Sequence, residues 1–243
     1  MGGVAFASED ILKFDSATKI WSLYFDGSDV SLSAAAGTDV DAFRLMTDGS
    51  ILLSFLNPCT IPNVGSVDDS DIVRFVPTSL GTNTAGTFQW YFDGSDVGLS
   101  ASGENIDAIG FSSDGKLIIS TTGSFSVTGA AGDDEDLASF TATSLGTNTS
   151  GTWSLYFDGS DVGLSSSSSE DVNGVSIDAT TGKIYLTTLG NFSVTGVSGT
   201  GADVFVCTPS SLGTNTACAF NSYWVGSQNG FGSEIADGVN ITK

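Results

Sequence analysis

Short runs of alternating apolar and polar residues cover most of the chain, divided by clusters of Gly, Ser, Asp and Asn. Residues 105–160 show the pattern in full. Asn105 to Phe111 alternates apolar with small or polar residues, the period of a strand. Ser112-Ser113-Asp114-Gly115 follows, a hairpin turn signal. Lys116 to Thr121 is a second strand. A loop rich in Gly, Ser and Asp (Gly123 to Asp134) leads to a third strand opened by Asp136-Leu137-Ala138-Ser139-Phe140. Ser144 to Thr149 is a loop, and Trp153 to Phe157 is a fourth strand. The unit predicted is four antiparallel strands, A to D, joined in sequence.

The unit repeats. Tyr24-Phe25-Asp26-Gly27-Ser28-Asp29-Val30 returns at Tyr91–Val97 and Tyr156–Val162, with a worn copy at Tyr223-Trp224-Val225-Gly226-Ser227. Their second residues are 67, 65 and 67 positions apart. A period of this length is one supersecondary unit that cannot bury its apolar face alone. Three units are whole, at roughly 39–99, 105–164 and 171–230. The ends hold the parts of a fourth: strand A at Asp237–Ile241, a short strand B at Gly3–Ala7, strand C at Asp10–Phe14 and strand D at Trp21–Phe25.

Four strands in series form the blade of a β-propeller. The A–B pair, with Asp114-Gly115 and then Lys116-Leu117-Ile118-Ile119, resembles the inner hairpin of NHL-type propeller repeats. It recurs at Asp41–Phe55 and Asn173–Thr188. The expectation is an all-β chain forming one domain over 1–243. It is a four-bladed β-propeller with four antiparallel strands per blade, the last blade built from 1–30 plus 237–243. The tail strand closes either its own ring or that of a neighbouring molecule.

The charge narrows the partners. The chain carries −21, from 28 acidic and 7 basic residues, with 23 Asp against 5 Glu. Asp favours turns, because its short side chain bonds nearby backbone amides. Seven scattered cations cannot neutralise a phosphate backbone, so nucleic acid is excluded, as is an anionic membrane surface. No apolar run is long enough for a membrane span. With no His, Ser-His-Asp and Cys-His catalysis is excluded too.

Four sets of residues are candidates for chemistry. The pairs Asp26/Asp29, Asp93/Asp96 and Asp158/Asp161 either share a hard cation such as calcium or form tight turns. A second acidic cluster, at Asp68, Asp69 and Asp71 and again at Asp133–Asp136, is either a solvated loop or a cation site. Asp41, Asp107, Asn173 and Asp237 each begin a strand A. One per blade would place them around a central channel, where the resemblance to hemopexin-like propellers implies an ion; the alternative is a structural role bonding blade to blade. Trp90 and Trp224 break the repeat pattern of aromatics and are candidates to stack on a sugar or protein partner.

Cys207 stands where other copies have Phe, and Cys218 where two copies have Gly, on strands expected to be neighbours. That paired change predicts a disulfide and an oxidising compartment. Cys59 is left over, either free or linking chains. Three Asn-X-Ser/Thr matches, at Asn148, Asn191 and Asn240, matter only in a secreted protein. These readings point to a non-enzymatic extracellular or cell-surface module for adhesion or assembly, a homo-oligomer or a polymer joined through terminal strands. The alternative is a calcium-dependent propeller that binds glycan or protein.

Overall fold

A computed structural model describes residues 2–165, 167–232 and 234–242. In chain order its strands are β1 (Ile11–Asp15), β2 (Ile20–Phe25), β3 (Val40–Leu45), β4 (Ile51–Phe55), β5 (Cys59–Ile61), β6 (Gly65–Val67), β7 (Ile72–Ser79), β8 (Ala85–Phe92), β9 (Ile106–Phe111), β10 (Leu117–Thr121), β11 (Phe125–Val127), β12 (Ala130–Gly132), β13 (Leu137–Ser144), β14 (Ser150–Phe157), β15 (Gly174–Ile177), β16 (Ile184–Thr187), β17 (Phe192–Val194), β18 (Val197–Gly199), β19 (Val204–Ser211) and β20 (Ala217–Trp224). The fold is all-β.

Three four-stranded antiparallel sheets run β3-β4-β7-β8, β9-β10-β13-β14 and β15-β16-β19-β20, each in chain order. A two-stranded hairpin, β1-β2, lies at the head of the chain. Between the second and third strand of each sheet sits a small hairpin (β5-β6, β11-β12, β17-β18), which the sequence reads only as loop. The two outer strands of each sheet reach eight residues, longer than the apolar alternation marks. Their extensions, such as Thr141–Ser144 in β13, are exposed and polar, so hydrophobic period alone does not reveal them.

The innermost strands β3 and β9 lie side by side, as do β9 and β15. The sheets stack face to face through apolar layers. Ala42, Leu52, Ile72 and Phe92 of the first sheet pack on Ile109, Leu117, Ile119, Ala138 and Phe140 of the second. Ala108, Ile118, Leu137 and Phe157 of the second pack on Val175, Ile184, Leu186, Phe205 and Cys207 of the third. Ile11 and Phe25 of the head hairpin pack on Ile51, Leu53, Val73 and Phe75 of the first sheet. Second strands such as β4 and β10 are buried along their whole length. That explains why they read as continuous apolar runs rather than alternating ones.

The chain ends differ from expectation in two ways. Gly3–Ala7 forms no strand. Counted from Asp10, residues 4–6 stand where β6, β12 and β18 stand from Asp71, Asp136 and Asp203. The segment therefore belongs to the small-hairpin position, and its Val4-Ala5-Phe6 alternation is too short to tell the two apart. Residues 237–241 join no β ladder either. They run between β15 and β3: the Ile241 amide donates to Ser176 Oγ (3.1 Å) and the Leu45 amide to Asn240 Oδ1 (3.3 Å).

Candidate functional site

The most repeated chemistry of this chain lies where one sheet meets the next. In each Asp-Gly-Ser-Asp copy, Ser28–Val30, Ser95–Val97 and Ser160–Val162 form a single 3-10 turn. The first Asp braces it: Asp26, Asp93 and Asp158 each accept the Ser hydroxyl two residues on. The second Asp reaches across to the following sheet. The amides of Thr84, Thr149 and Thr216 donate to Asp29, Asp96 and Asp161 at 2.7, 2.8 and 2.8 Å. In return the amides of Asp26, Asp93 and Asp158 donate to the hydroxyls of the same Thr residues at 3.0, 2.9 and 2.9 Å. The motif and the Leu-Gly-Thr-Asn-Thr loop of the next unit are thus two halves of one clasp.

The acidic residue that opens each third strand pins the same junction from inside. Asp10, Asp71, Asp136 and Asp203 accept the amides of Gly27, Gly94, Gly159 and Gly226 on one carboxylate oxygen, at 2.8–3.0 Å. The other oxygen accepts the amides of Ala7, Asp68, Asp133 and Thr200. This role is fourfold, yet only Asp71 and Asp136 stand out in the sequence. Asp10 follows the single acid Glu9, and Asp203 has no acid beside it; the spacing to the glycine, 23 residues in the three sheets and 17 in the head, is the signal that finds them. Burial, set against these amide bonds, pushes the Asp71 carboxyl up to about 6.

A third bond recurs four times. The amides of Val40, Ile106, Val172 and Ala236 donate to the carbonyls of Ser8, Asp69, Asp134 and Gly201 at 3.2, 3.0, 3.0 and 2.8 Å. Each joins the start of an inner strand to the preceding unit, and the fourth does so for the tail.

The clasp is missing where the third sheet meets the head. Val225 and Gln228 replace its two Asp residues, and the head has only six residues between Phe14 and Trp21 where the sheets have twelve between paired third and fourth strands. Both halves are lost together. Aromatic contact fills the place: Trp21 packs with Trp224 (5.9 Å between centroids) and Phe231 (5.6 Å), and Phe14 with Trp224 (5.6 Å). Trp21 Nε1 donates to the Asn229 carbonyl at 2.8 Å, as Trp153 Nε1 does to Val97 at 3.0 Å. Trp224 is therefore part of this junction. Trp90 packs on the core of the first sheet.

The residues that begin the inner strands come together. Asn173 Nδ2 donates to Asp237 Oδ1 at 3.0 Å, and Thr187 Oγ1 to Asn173 Oδ1. Asp107 is buried with neither carboxylate oxygen hydrogen-bonded. Burial first, then the charges of Asp171 and Asp41, hold its carboxyl well above the ordinary range. Asp41 rises to about 7 through burial and the charges of Asp237 and Asp171; Asp171 rises to about 7 through burial. Asp171 is a member of this centre that the four-position sequence pattern does not include. Among the described residues no group of three or more acidic or cysteine side chains is arranged to hold a metal ion.

Cys207 and Cys218 form a disulfide, with Cα atoms 5.3 Å apart; Cys59 is free. In the other sheets a Phe ring (Phe75, Phe140) lies over a glycine (Gly86, Gly151) whose Cβ it would overlap. Replacing Phe by Cys clears the space that a second Cys then fills. Comparison with protein-family models, with curated proteins and with solved structures finds no match. No helix among the described residues is long and apolar enough to cross a membrane.

Proposed function

We propose that the three sheets and the two chain ends are the four blades of a β-propeller closed within one chain. On this reading the protein is a rigid, non-catalytic extracellular or cell-surface module for adhesion or assembly. The observation that carries it is the fourfold bond from Val40, Ile106, Val172 and Ala236, which treats the tail as the fourth inner strand. The Asn173–Asp237 and Leu45–Asn240 bonds support the same closure from both neighbours. The most repeated polar groups join sheet to sheet, a mechanical use. The disulfide supports an oxidising location.

The test is to recover the protein from cells that produce it, with thiols blocked during lysis. The expected result is material in the medium, or released from intact cells by surface proteolysis, with Cys207 and Cys218 bridged. Recovery in the cytosol with both thiols free would overturn the extracellular reading. Light scattering on the same material reads the assembly state.

A further inference from the structure

We infer that the outer hairpin of the second sheet, β13–β14, is a docking surface for a second copy of this chain, with β14 lying antiparallel to β14 of the other molecule. This deepens the assembly part of the function proposed above and rests on it; the sheet itself does not depend on how the ring closes. Among the described residues β14 forms a ladder with β13 alone, and outside that ladder a single bridge joins its last residue, Phe157, to Gly213. The ladder of β10 on β13 ends at Phe140, so Thr141–Ser144 and the residues of β14 that face them project past it as a two-stranded ribbon. One face of the ribbon is covered, where Trp153 packs in the apolar layer shared with the first sheet and the small hairpin β11-β12. The other face presents Ser150, Thr152 and Ser154, all exposed.

What this hairpin lacks is charge. Residues 137–157 contain none, in a chain with 28 acidic and 7 basic residues among 243. Edge strands ordinarily discourage pairing with charged side chains, above all Lys, or with Pro; β14 has neither. Net charge of −21 makes two copies repel wherever their acidic turns face each other. A basic partner would be drawn to those turns, whereas a second copy approaches most closely where they are absent. The first sheet differs, since its outer hairpin carries Arg74, and Pro77 and Pro209 stand where the second sheet has Ala142.

The sequence of β14 also matches itself. With two copies antiparallel and Thr152 opposite Thr152, Ser150 of each faces Ser154 of the other, the isologous arrangement of a two-fold dimer. Hydroxyl pairs of this kind stabilise antiparallel neighbours. They would extend a row already present inside the sheet, where Ser139 meets Ser154 at 2.8 Å and Thr143 meets Ser150 at 2.9 Å between hydroxyl oxygens. The equivalent exposed residues do not match themselves elsewhere: in β8 Ala85 would face Gln89, and in the uncharged β20 Ala217 would face Asn221.

Sedimentation of the full chain over a range of concentration is the test, with variants at Thr152 and at its counterpart in β8, Thr87. The expected result is a reversible dimer that added salt strengthens, because salt screens the repulsion between copies. Thr152→Glu sets like charges opposite one another and is expected to weaken the dimer by about tenfold or more; Thr87→Glu adds the same charge and is expected to leave it unchanged. Thr152→Cys is expected to cross-link to itself on mild oxidation, and Ser150→Cys only when mixed with Ser154→Cys, which reads the register without relying on charge. If Thr152→Glu fails to fold, these cross-links decide. Association that survives Thr152→Glu, or cross-linking no stronger through Thr152→Cys than through Thr87→Cys, overturns the inference and leaves assembly to another surface. A monomer at every concentration and salt overturns the inference and the assembly reading together, leaving adhesion.

Discussion

A methyl group at Gly27, Gly94, Gly159 or Gly226 would run into the backbone carbonyl of Glu9, Ser70, Glu135 or Ala202. These glycines have ordinary negative φ in the three intact copies. Close approach is therefore the constraint, because no Cβ fits against that carbonyl. The fourth copy has lost both its Asp residues but kept Gly226. Gly226→Ala is expected to destabilise the chain as much as Gly159→Ala does, by about 1–3 kcal/mol from overpacking, read from urea denaturation midpoints. Asp136→Ala is expected to cost more, since it orphans two backbone amides, of Asp133 and Gly159, at about 1–3 kcal/mol each. The sequence makes Asp26 and Asp29 conspicuous by repetition. It does not reveal that Asp29 serves the next unit, because the partner, Thr84, is 55 residues away.

At the scale of the element, the third and fourth strands show how far a paired substitution carries. Phe over Gly in two sheets and Cys bound to Cys in the third are two solutions to one contact between neighbouring strands. Removing the bridge as C207A/C218A is expected to cost about 3 kcal/mol, the order for a loop of this length. C207F/C218G, which rebuilds the Phe-over-Gly contact, is expected to recover most of that loss under reducing conditions, read by thermal unfolding. The disulfide was legible because the repeat supplies its own reference copies. The small hairpins were not, since strands of three residues between glycines carry no usable period. The tail runs between β15 and β3 but joins no β ladder, so its alternation marked its neighbours and not its pairing.

Over the whole molecule, the buried acidic centre governs response to pH. Asp107 on β9 faces Asp41 on β3, Asp171 ahead of β15 and, through Asp41, Asp237 of the tail; Asn105 and Asn173 are the amides of the same region. The carboxyls of Asp41 and Asp171 titrate near 7 when folded and near 4 when unfolded. Between those values the folded state holds more protons, so stability rises as pH falls from 7 towards 4. Exposed Asp15, Asp48 and Asp114, whose carboxyls are lowered by hydrogen bonds, act oppositely below that range. The melting temperature is expected to peak at mildly acidic pH, and Asp107→Asn is expected to flatten its decline towards neutrality.

The Trp21–Asn229 bond spans 208 residues of sequence, which sets an order on biosynthesis. At about 5–20 residues per second, the head hairpin emerges some tens of seconds before Phe231 and Trp224 arrive to cover Phe14 and Trp21. During that interval it presents an apolar, open-edged ribbon to whatever shares its compartment. Phe14 and Trp21 thus draw their aromatic cover from residues made much later, so synthesis stopped before Trp224 would leave an apolar ribbon uncovered.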